Sequence, residues 1–502
     1  MNPAKVFTVV ELYATLALML LAIVIAPYYN IRMPGGGIAG AALLLACGAV
    51  LAWLSIRSVA KVIGNILGSR LKLGLATLLA IGLSVQVGAA VITAPIPESD
   101  MEQYLLLAER LASDASYESD GRFAYLPPGL PLTLAPFVKV FGANLHAVIV
   151  MNAMLYAASV LALWTIAVRL FGRAVAAMAV ALFSIWPTRL LMAGLASKEN
   201  LTLAMLLVGI ALALKAFDPS TRRPVWAAFG SGAAFGLGAL AQPGLVLFVA
   251  MTPLMYRFAA RTLGKHAFIT RLAVILAGMA LCIAPWTVRN CIVFEGKFCG
   301  ISTNGGSVFY RANNPQATGT WTDEGEIAIG HLPELEQNEL GFRLGREWIM
   351  SHPLQAAALS MRKLIYLLGT DDYGPYWGIL RATGLRDEEA YRINPPARIA
   401  AFHIANIVSL VFWVLLAALC VRALLIYRAQ NLLAFENVLP LVYPLLYSAC
   451  VFAVFESGSR QHIAATGPLF ILAASACAAH VSDPRWASRK VEYLPKPDSG
   501  VS

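Results

Sequence analysis

The chain has 502 residues, of which 59% are apolar and only 13% charged, with a mean hydropathy of +0.68. Soluble domains carry about twice that share of charge, so a soluble enzyme is excluded, as are a disordered chain, a collagen-like chain and a small disulfide scaffold. The net charge of +10 comes from Lys and Arg set in short loops between apolar blocks, the positive-inside pattern of a membrane protein rather than a nucleic-acid surface.

The blocks are long enough to cross a hydrocarbon core of roughly 30 Å. They predict an all-α polytopic membrane protein with about 12 spans, at 7–26, 35–55, 73–94, 145–166, 174–195, 200–217, 226–240, 243–257, 268–288, 400–425, 437–455 and 464–480. The first block lacks a small-residue cleavage site and reads as a retained helix. Gln242-Pro243 divides the weakest pair of spans, as a tight hairpin or as a break in a re-entrant segment.

Fourteen cations lie on one side: Arg57, Lys61, Arg70, Lys72, Arg169, Arg173, Arg222, Arg223, Arg257, Arg261, Lys265, Arg271, Arg422 and Arg428. Four lie on the other: Arg32, Arg189, Lys198 and Arg460. The richer side is expected to be the cytoplasm, with both termini there and the chain in the plasma (inner) membrane. The organisation expected is an N-terminal pair of spans with a basic loop (1–72), a transmembrane module (73–289) with an external loop (95–144), an external domain of α/β or mixed type (290–399), C-terminal spans (400–480) and a basic tail (481–502).

The external loop is acidic. Ser99 with Glu102 three residues on is a capping-box pattern, so a helix should start at Asp100. A carboxylate in a first turn is favoured in its ionised form by free backbone N–H groups and the helix dipole. Such a group just outside the bilayer suits a general base acting on a hydroxyl, although first-turn acids are also common with no chemistry attached. Tyr125-Leu-Pro127-Pro128-Gly129-Leu-Pro131 then makes a rigid, extended or kinked passage that no regular spanning helix could follow, and an apolar helix over Leu132–Phe141 at the interface is expected after it.

Farther on, Cys291 and Cys299 flank apolar residues around a Glu295-Gly296 turn. That pattern reads as a β-hairpin whose ends either bridge as a disulfide or stay as two thiols. The histidines show no ligand spacing, and no P-loop, H-E-x-x-H or G-x-S-x-G occurs.

The order of these features resembles the polyprenyl-phosphate-sugar-dependent membrane glycosyltransferases of the GT-C class, among them the dolichyl-phosphate-mannose protein mannosyltransferase-like and aminoarabinose transferase-like groups. The stretches that carry the resemblance are Asp100 with Tyr104, the proline segment with Phe141-Gly142, Arg169-Leu-Phe-Gly-Arg173, Ser184-Ile-Trp-Pro187, Ser197-Lys198-Glu199-Asn200, Ala284-Pro-Trp286-Thr-Val-Arg289-Asn290, Ile301-Ser-Thr-Asn-Gly-Gly306, Asn313-Asn-Pro-Gln-Ala-Thr-Gly-Thr, Trp348-Ile-Met-Ser-His352-Pro353 and Lys363. They run over about residues 73–370. Gln242-Pro243 stands where many relatives have Arg-Pro.

The resemblance implies transfer of a sugar from a polyprenyl-phosphate donor, with inversion, to a glycan, lipid or protein acceptor hydroxyl outside the membrane. Asp100 would be the base. Glu199 is a second carboxylate, which would position the acceptor, bind a divalent ion or simply cap its helix. Tyr104, Lys198, Arg289, Lys363 and Arg460 are the substrate-binding candidates. The cations would face a leaving lipid phosphate, or would only snorkel to anchor helix ends. Monophosphate-donor relatives generally need no metal, so no cofactor is expected, with a divalent cation as the alternative. Nucleic acid is not an expected partner, whereas membrane lipid is. Two other classes compete. An O-antigen ligase or polymerase would rest on external Arg and His, without the acidic first loop. A transporter or flippase would place ionisable residues within its spans, where Glu11 and Lys215 are the few present.

Overall fold

The computed structural model describes residues 3–32, 74–321, 329–380, 393–430 and 435–478. The expected span 35–55, the cations Arg57, Lys61, Arg70 and Lys72, and the tail 481–502 lie outside the described residues. In chain order the helices are α1 (Pro3–Arg32), α2 (Leu75–Thr93), α3 (Asp100–Asp114), α4 (Gly129–Phe141), α5 (Leu145–Phe171), α6 (Arg173–Ser184), α7 (Pro187–Leu191), α8 (Lys198–Ala216), α9 (Pro224–Ala241), α10 (Leu245–Val249), α11 (Thr252–Met255), α12 (Arg257–Leu263), α13 (Lys265–Val293), α14 (Gly305–Ala312), α15 (Glu334–Ser351), α16 (Pro353–Gly369), α17 (Tyr373–Ile379), α18 (Pro396–Gln430), α19 (Leu439–Phe452) and α20 (Ser459–Ala478). Among the described residues there is no β-strand, only an isolated bridge between Ser119 and Arg122.

The molecule is a multi-pass membrane protein. Among the described residues, α2, α5, α8, α9, α13 and α18 are long and apolar enough to cross a membrane, and α4, α6, α19 and the Thr8–Val24 part of α1 are shorter apolar helices. Two expected spans are not continuous. The block 174–195 stops at Ser184, because Pro187 cannot continue the helix, and α7 follows as a separate turn. The block 243–257 breaks into α10, α11 and the start of α12, with Pro253 opening α11. The 290–399 segment, expected as α/β or mixed, holds helices α14 to α17 joined by turns and loops, with no strand among its described residues.

Lipid is as apolar as leucine, so close packing and hydrogen bonds hold such helices together rather than a hydrophobic drive. The α9–α13 crossing shows this. A Cβ on Gly232 would stand 2.0 Å from the Ile275 carbonyl oxygen, and one on Gly278 would stand 2.4 Å from that of Phe229. Only glycine lets the two backbones approach so closely. Helix α20 is the hub, packed against α6, α8, α18 and α19. Its Phe470 is fully buried against Phe183 and Trp186, which fixes where its first turn emerges.

Glu11, the ionisable residue that a transporter reading would favour, is tied instead. It pairs with Arg257 at 2.7 Å and accepts from the Tyr443 hydroxyl, with Glu436 3.7 Å from the same Arg257. This buried set joins α1 to α12 and to the start of α19.

Candidate active site

Helix α3 begins at Asp100, as the Ser99–Glu102 spacing predicts, but no capping box closes it. Ser99 sits at φ 55° and its side chain makes no cap bond. Backbone bonds from Met101 to Glu98 and from Gln103 to Ser99 start the helix. The Asp100 carboxylate is thereby left for long-range partners. One turn on, Tyr104 lies on the same face and is 1% exposed.

Arg460, in the first turn of α20, bridges two carboxylates. Its Nη1 donates to Asp100 Oδ2 at 2.8 Å and its Nε to Glu199 Oε1 at 2.5 Å. The Asp100 side chain stays 40% exposed, against 8% for Glu199. Glu199 takes its second bond from the Ser197 hydroxyl. It faces the cluster rather than capping α8. The Arg460 guanidinium also lies 5.5 Å from the centroid of the Tyr373 ring.

Burial raises the Asp100 carboxyl, but the charges of Arg460 and Lys198 and the hydrogen bond from Arg460 outweigh it and hold the group below its ordinary 3.8. Asp100 is therefore ionised at neutral pH, with Oδ1 unclaimed by Arg460. Burial, then the Asp100 charge, push the Tyr104 phenol well above its usual range, so it stays a neutral hydroxyl.

The remaining candidate cations divide sharply. Lys198 adjoins Glu199 at the start of α8 and acts on Asp100, Glu199 and Glu456 through its charge. Among the described residues its ammonium makes no hydrogen bond or ion pair. Arg289 is committed elsewhere, donating to the carbonyls of Phe123 at 2.7 Å and Tyr117 at 3.0 Å and lying 4.9 Å from the Trp286 centroid. Opposite it, Glu334 accepts from the backbone of Phe123 and Ala124, so α13 and α15 grip the same turn. Lys363 is fully buried and donates to Asn313 Oδ1 at 3.0 Å and the Val454 carbonyl at 2.8 Å. Burial pushes its ammonium down to about 8. The structure thus brings together Asp100, Tyr104, Lys198, Glu199 and Arg460. Arg289 and Lys363 serve as loop anchors.

Cys291 and Cys299 are joined as a disulfide, with Cα atoms 4.5 Å apart, but not across a hairpin. Helix α13 runs on to Val293. Glu295 and Gly296, both at positive φ, then turn the chain back, and Gly296 N–H bonds to the Cys291 carbonyl. A lone strand pair here would have no sheet to join, and the apolar residues extend the helix instead.

Sequence reasoning missed the segment Thr370-Asp371-Asp372-Tyr373. Asp371 is buried against Trp186 and His462, Asp372 accepts from Ser459, and Tyr373 lies under Arg460. Two adjacent acids and a tyrosine after an apolar helix read as a turn. The available signal was that Asp371 and Asp372 are the only acids in 348–385. Among the described residues, no group of three or more His, Cys, Asp or Glu is arranged to hold a metal ion.

Residues 126–288 match the model of the dolichyl-phosphate-mannose-protein mannosyltransferase family. The family resemblance read from the residues is borne out over that segment. It contains Lys198 and Glu199 and stops short of Asp100, Arg289, Lys363 and Arg460. No curated protein matches the chain. Solved structures similar to this chain include the following two. The archaeal oligosaccharyltransferase AglB from Archaeoglobus fulgidus, in complex with an inhibitory peptide and a dolichol-phosphate, is 13% identical over 85% of this chain and 52% of its own, with a TM-score of 0.48. ArnT from Cupriavidus metallidurans, bound to undecaprenyl phosphate, is 11% identical over 82% of this chain and 78% of its own, with a TM-score of 0.42. The chain therefore spans about half the length of the archaeal enzyme.

Proposed function

We propose that the chain is an inverting glycosyltransferase that moves a sugar from a polyprenyl-phosphate carrier to an acceptor hydroxyl on the external face of the membrane. The observation that carries the reading is the Asp100 cluster: an ionised, partly exposed carboxylate beside a cation with no bonded partner, set at one end of a bundle whose 126–288 segment matches a glycosyltransferase family.

In the proposed reaction the acceptor hydroxyl donates its hydrogen bond to Asp100 Oδ1. As the acceptor oxygen attacks the anomeric carbon, Asp100 takes the proton and the bond from that carbon to the phosphate oxygen breaks. Attack from the face opposite the phosphate inverts the carbon. The leaving group is the lipid phosphate, whose negative charge grows as the bond breaks, and a preorganised cation there stabilises the transition state. Lys198 fits that role because its ammonium is not already bonded. Arg460, held by two carboxylates, keeps Asp100 ionised and aimed. Its guanidinium also supplies the positive charge between Asp100 and Glu199 that a divalent ion would otherwise give, so the site is proposed to work without a metal. Whether the acceptor is lipid, protein or glycan is left to the assay, since each presents the same hydroxyl.

Asp100→Asn keeps the side-chain volume and the bond from Arg460 but removes the base. Transfer in membranes should fall by about 10²-fold or more, with unchanged abundance. Activity within a few-fold of the parent would overturn the assignment.

A further inference from the structure

Arginine in the first turn of a helix is electrostatically misplaced, because the helix dipole puts partial positive charge there. Arg460 nevertheless sits in the first turn of α20 and reaches two carboxylates from helices far away in sequence. A set of buried contacts around it explains how.

Asp371 and His462 are both fully buried at the side chain and face each other, Oδ1 to Nε2, at 3.3 Å. Asp371 Oδ2 accepts from Trp186 Nε1 at 2.8 Å, and its carbonyl accepts from the Thr188 hydroxyl at 2.7 Å. The second imidazole nitrogen of His462 lies 2.5 Å from the Leu367 carbonyl. One face of that ring lies flat on Trp413, with centroids 4.4 Å apart and planes 2° from parallel. The imidazole is thus held at both nitrogens and on a face, and it stands two residues from Arg460. Next to Asp371, Asp372 accepts from Ser459, the residue before Arg460, at 2.5 Å. Tyr373 then places its ring by the guanidinium, and the Ser197 hydroxyl bonds the Glu199 carboxylate that Arg460 also holds.

We propose that Asp371 and His462 are positioning residues that act through Arg460. They lock the first turn of α20 to the segment between α16 and α17, so that one guanidinium meets Asp100 and Glu199 together. Neither residue touches substrate in this scheme. The kinetic part of the test rests on the glycosyltransferase reading, whereas the geometric part does not.

The experiment uses the full chain in lipid nanodiscs with Asp371→Asn, which keeps the shape, and His462→Phe, which keeps the stacking on Trp413 but removes both nitrogen contacts. Cryo-EM structures of the variants should show Arg460 released from Asp100, from Glu199 or from both. Arg460 still bridging the two carboxylates in both variants would overturn the proposal. Kinetically, Asp371→Asn should lower kcat/KM for transfer by about tenfold. Combined with Arg460→Lys it should lose no further activity beyond Arg460→Lys alone, since both act through one group. A multiplicative loss would mean that Asp371 works independently of Arg460, which also overturns the proposal. If Asp371→Asn fails to accumulate, His462→Phe carries the same two readouts. A parent protein with no transferase activity would defeat the reading of the reaction and leave the positions of Arg460 to decide this inference.

Discussion

At the scale of single residues, what could be read in advance was chemical type and not partnership. Asp100 was legible because a serine, an acid and an apolar stripe fix the start of α3, even though the Ser99 cap bond never forms. That its carboxylate meets Arg460 was not legible, since the two lie 360 residues apart and nothing local links them. The same blindness made Arg289 and Lys363 look as good as Arg460. A cation near a helix end is visible in sequence, but the carbonyls that absorb it are not. The Asp100–Arg460 pair has a consequence for pH. Burial alone would raise the carboxyl, yet Arg460 and Lys198 hold it below 3.8. The charged form therefore persists as pH falls, and the stability it contributes above the unfolded value goes only as pH drops through the lower folded one. The rate of transfer should accordingly hold from pH 7 to about pH 5, without the acid limb that a carboxylate raised by burial would show. A fall in kcat/KM centred at about pH 5 or above, lost in Asp100→Asn, would show that Asp100 is not held this way.

At the scale of elements, helices with long uninterrupted apolar runs were legible, among them α2, α5, α8, α13 and α18. The failures share one cause: composition shows that a segment is apolar but not where its backbone must stop. Pro187 ends the block after α6. The residues around Cys291 continue a helix because no sheet receives them. The contact between α17 and α7 was invisible for a different reason, since it depends on what a glycine meets. A Cβ on Gly374 would stand 2.2 Å from the Thr188 carbonyl oxygen and 2.7 Å from its Cα. Both are backbone atoms that no rotamer change can move. Gly374→Ala should push the 370–374 segment off α7, lowering stability by about 1–3 kcal/mol and cutting activity through Arg460. Gly88→Ala, in α2 with nothing within 4 Å, is the control and should be neutral or slightly stabilising. Thermal unfolding in detergent compares them. Equal melting temperatures for the two variants would mean that the 370–374 segment yields without cost.

At the scale of the whole molecule, the sequence carries an expectation of sidedness, because charge can be counted without knowing any contact. The cluster of Asp100, Glu199, Lys198 and Arg460 gathers at the ends of α3, α8 and α20, on the side assigned few cations. The opposite side is the one to which the sequence count assigns fourteen. The structure ties a second feature to the site's side. Arg289, two residues before Cys291, bonds to Tyr117 and Phe123 in the loop that follows α3. The disulfide Cys291–Cys299 therefore lies at the same end of the bundle as Asp100, and a persistent disulfide belongs in an oxidising compartment. Charge count and disulfide are independent arguments for one orientation. Reporter fusions test it directly. An enzyme that is active only outside the membrane, fused after residue 330, should be active. The same enzyme fused after residue 265, at the start of α13, should be silent, while a reporter active only in the cytoplasm should give the inverse pattern. The reverse result would put Asp100 on the cytoplasmic face, where neither an external acceptor nor the disulfide could be.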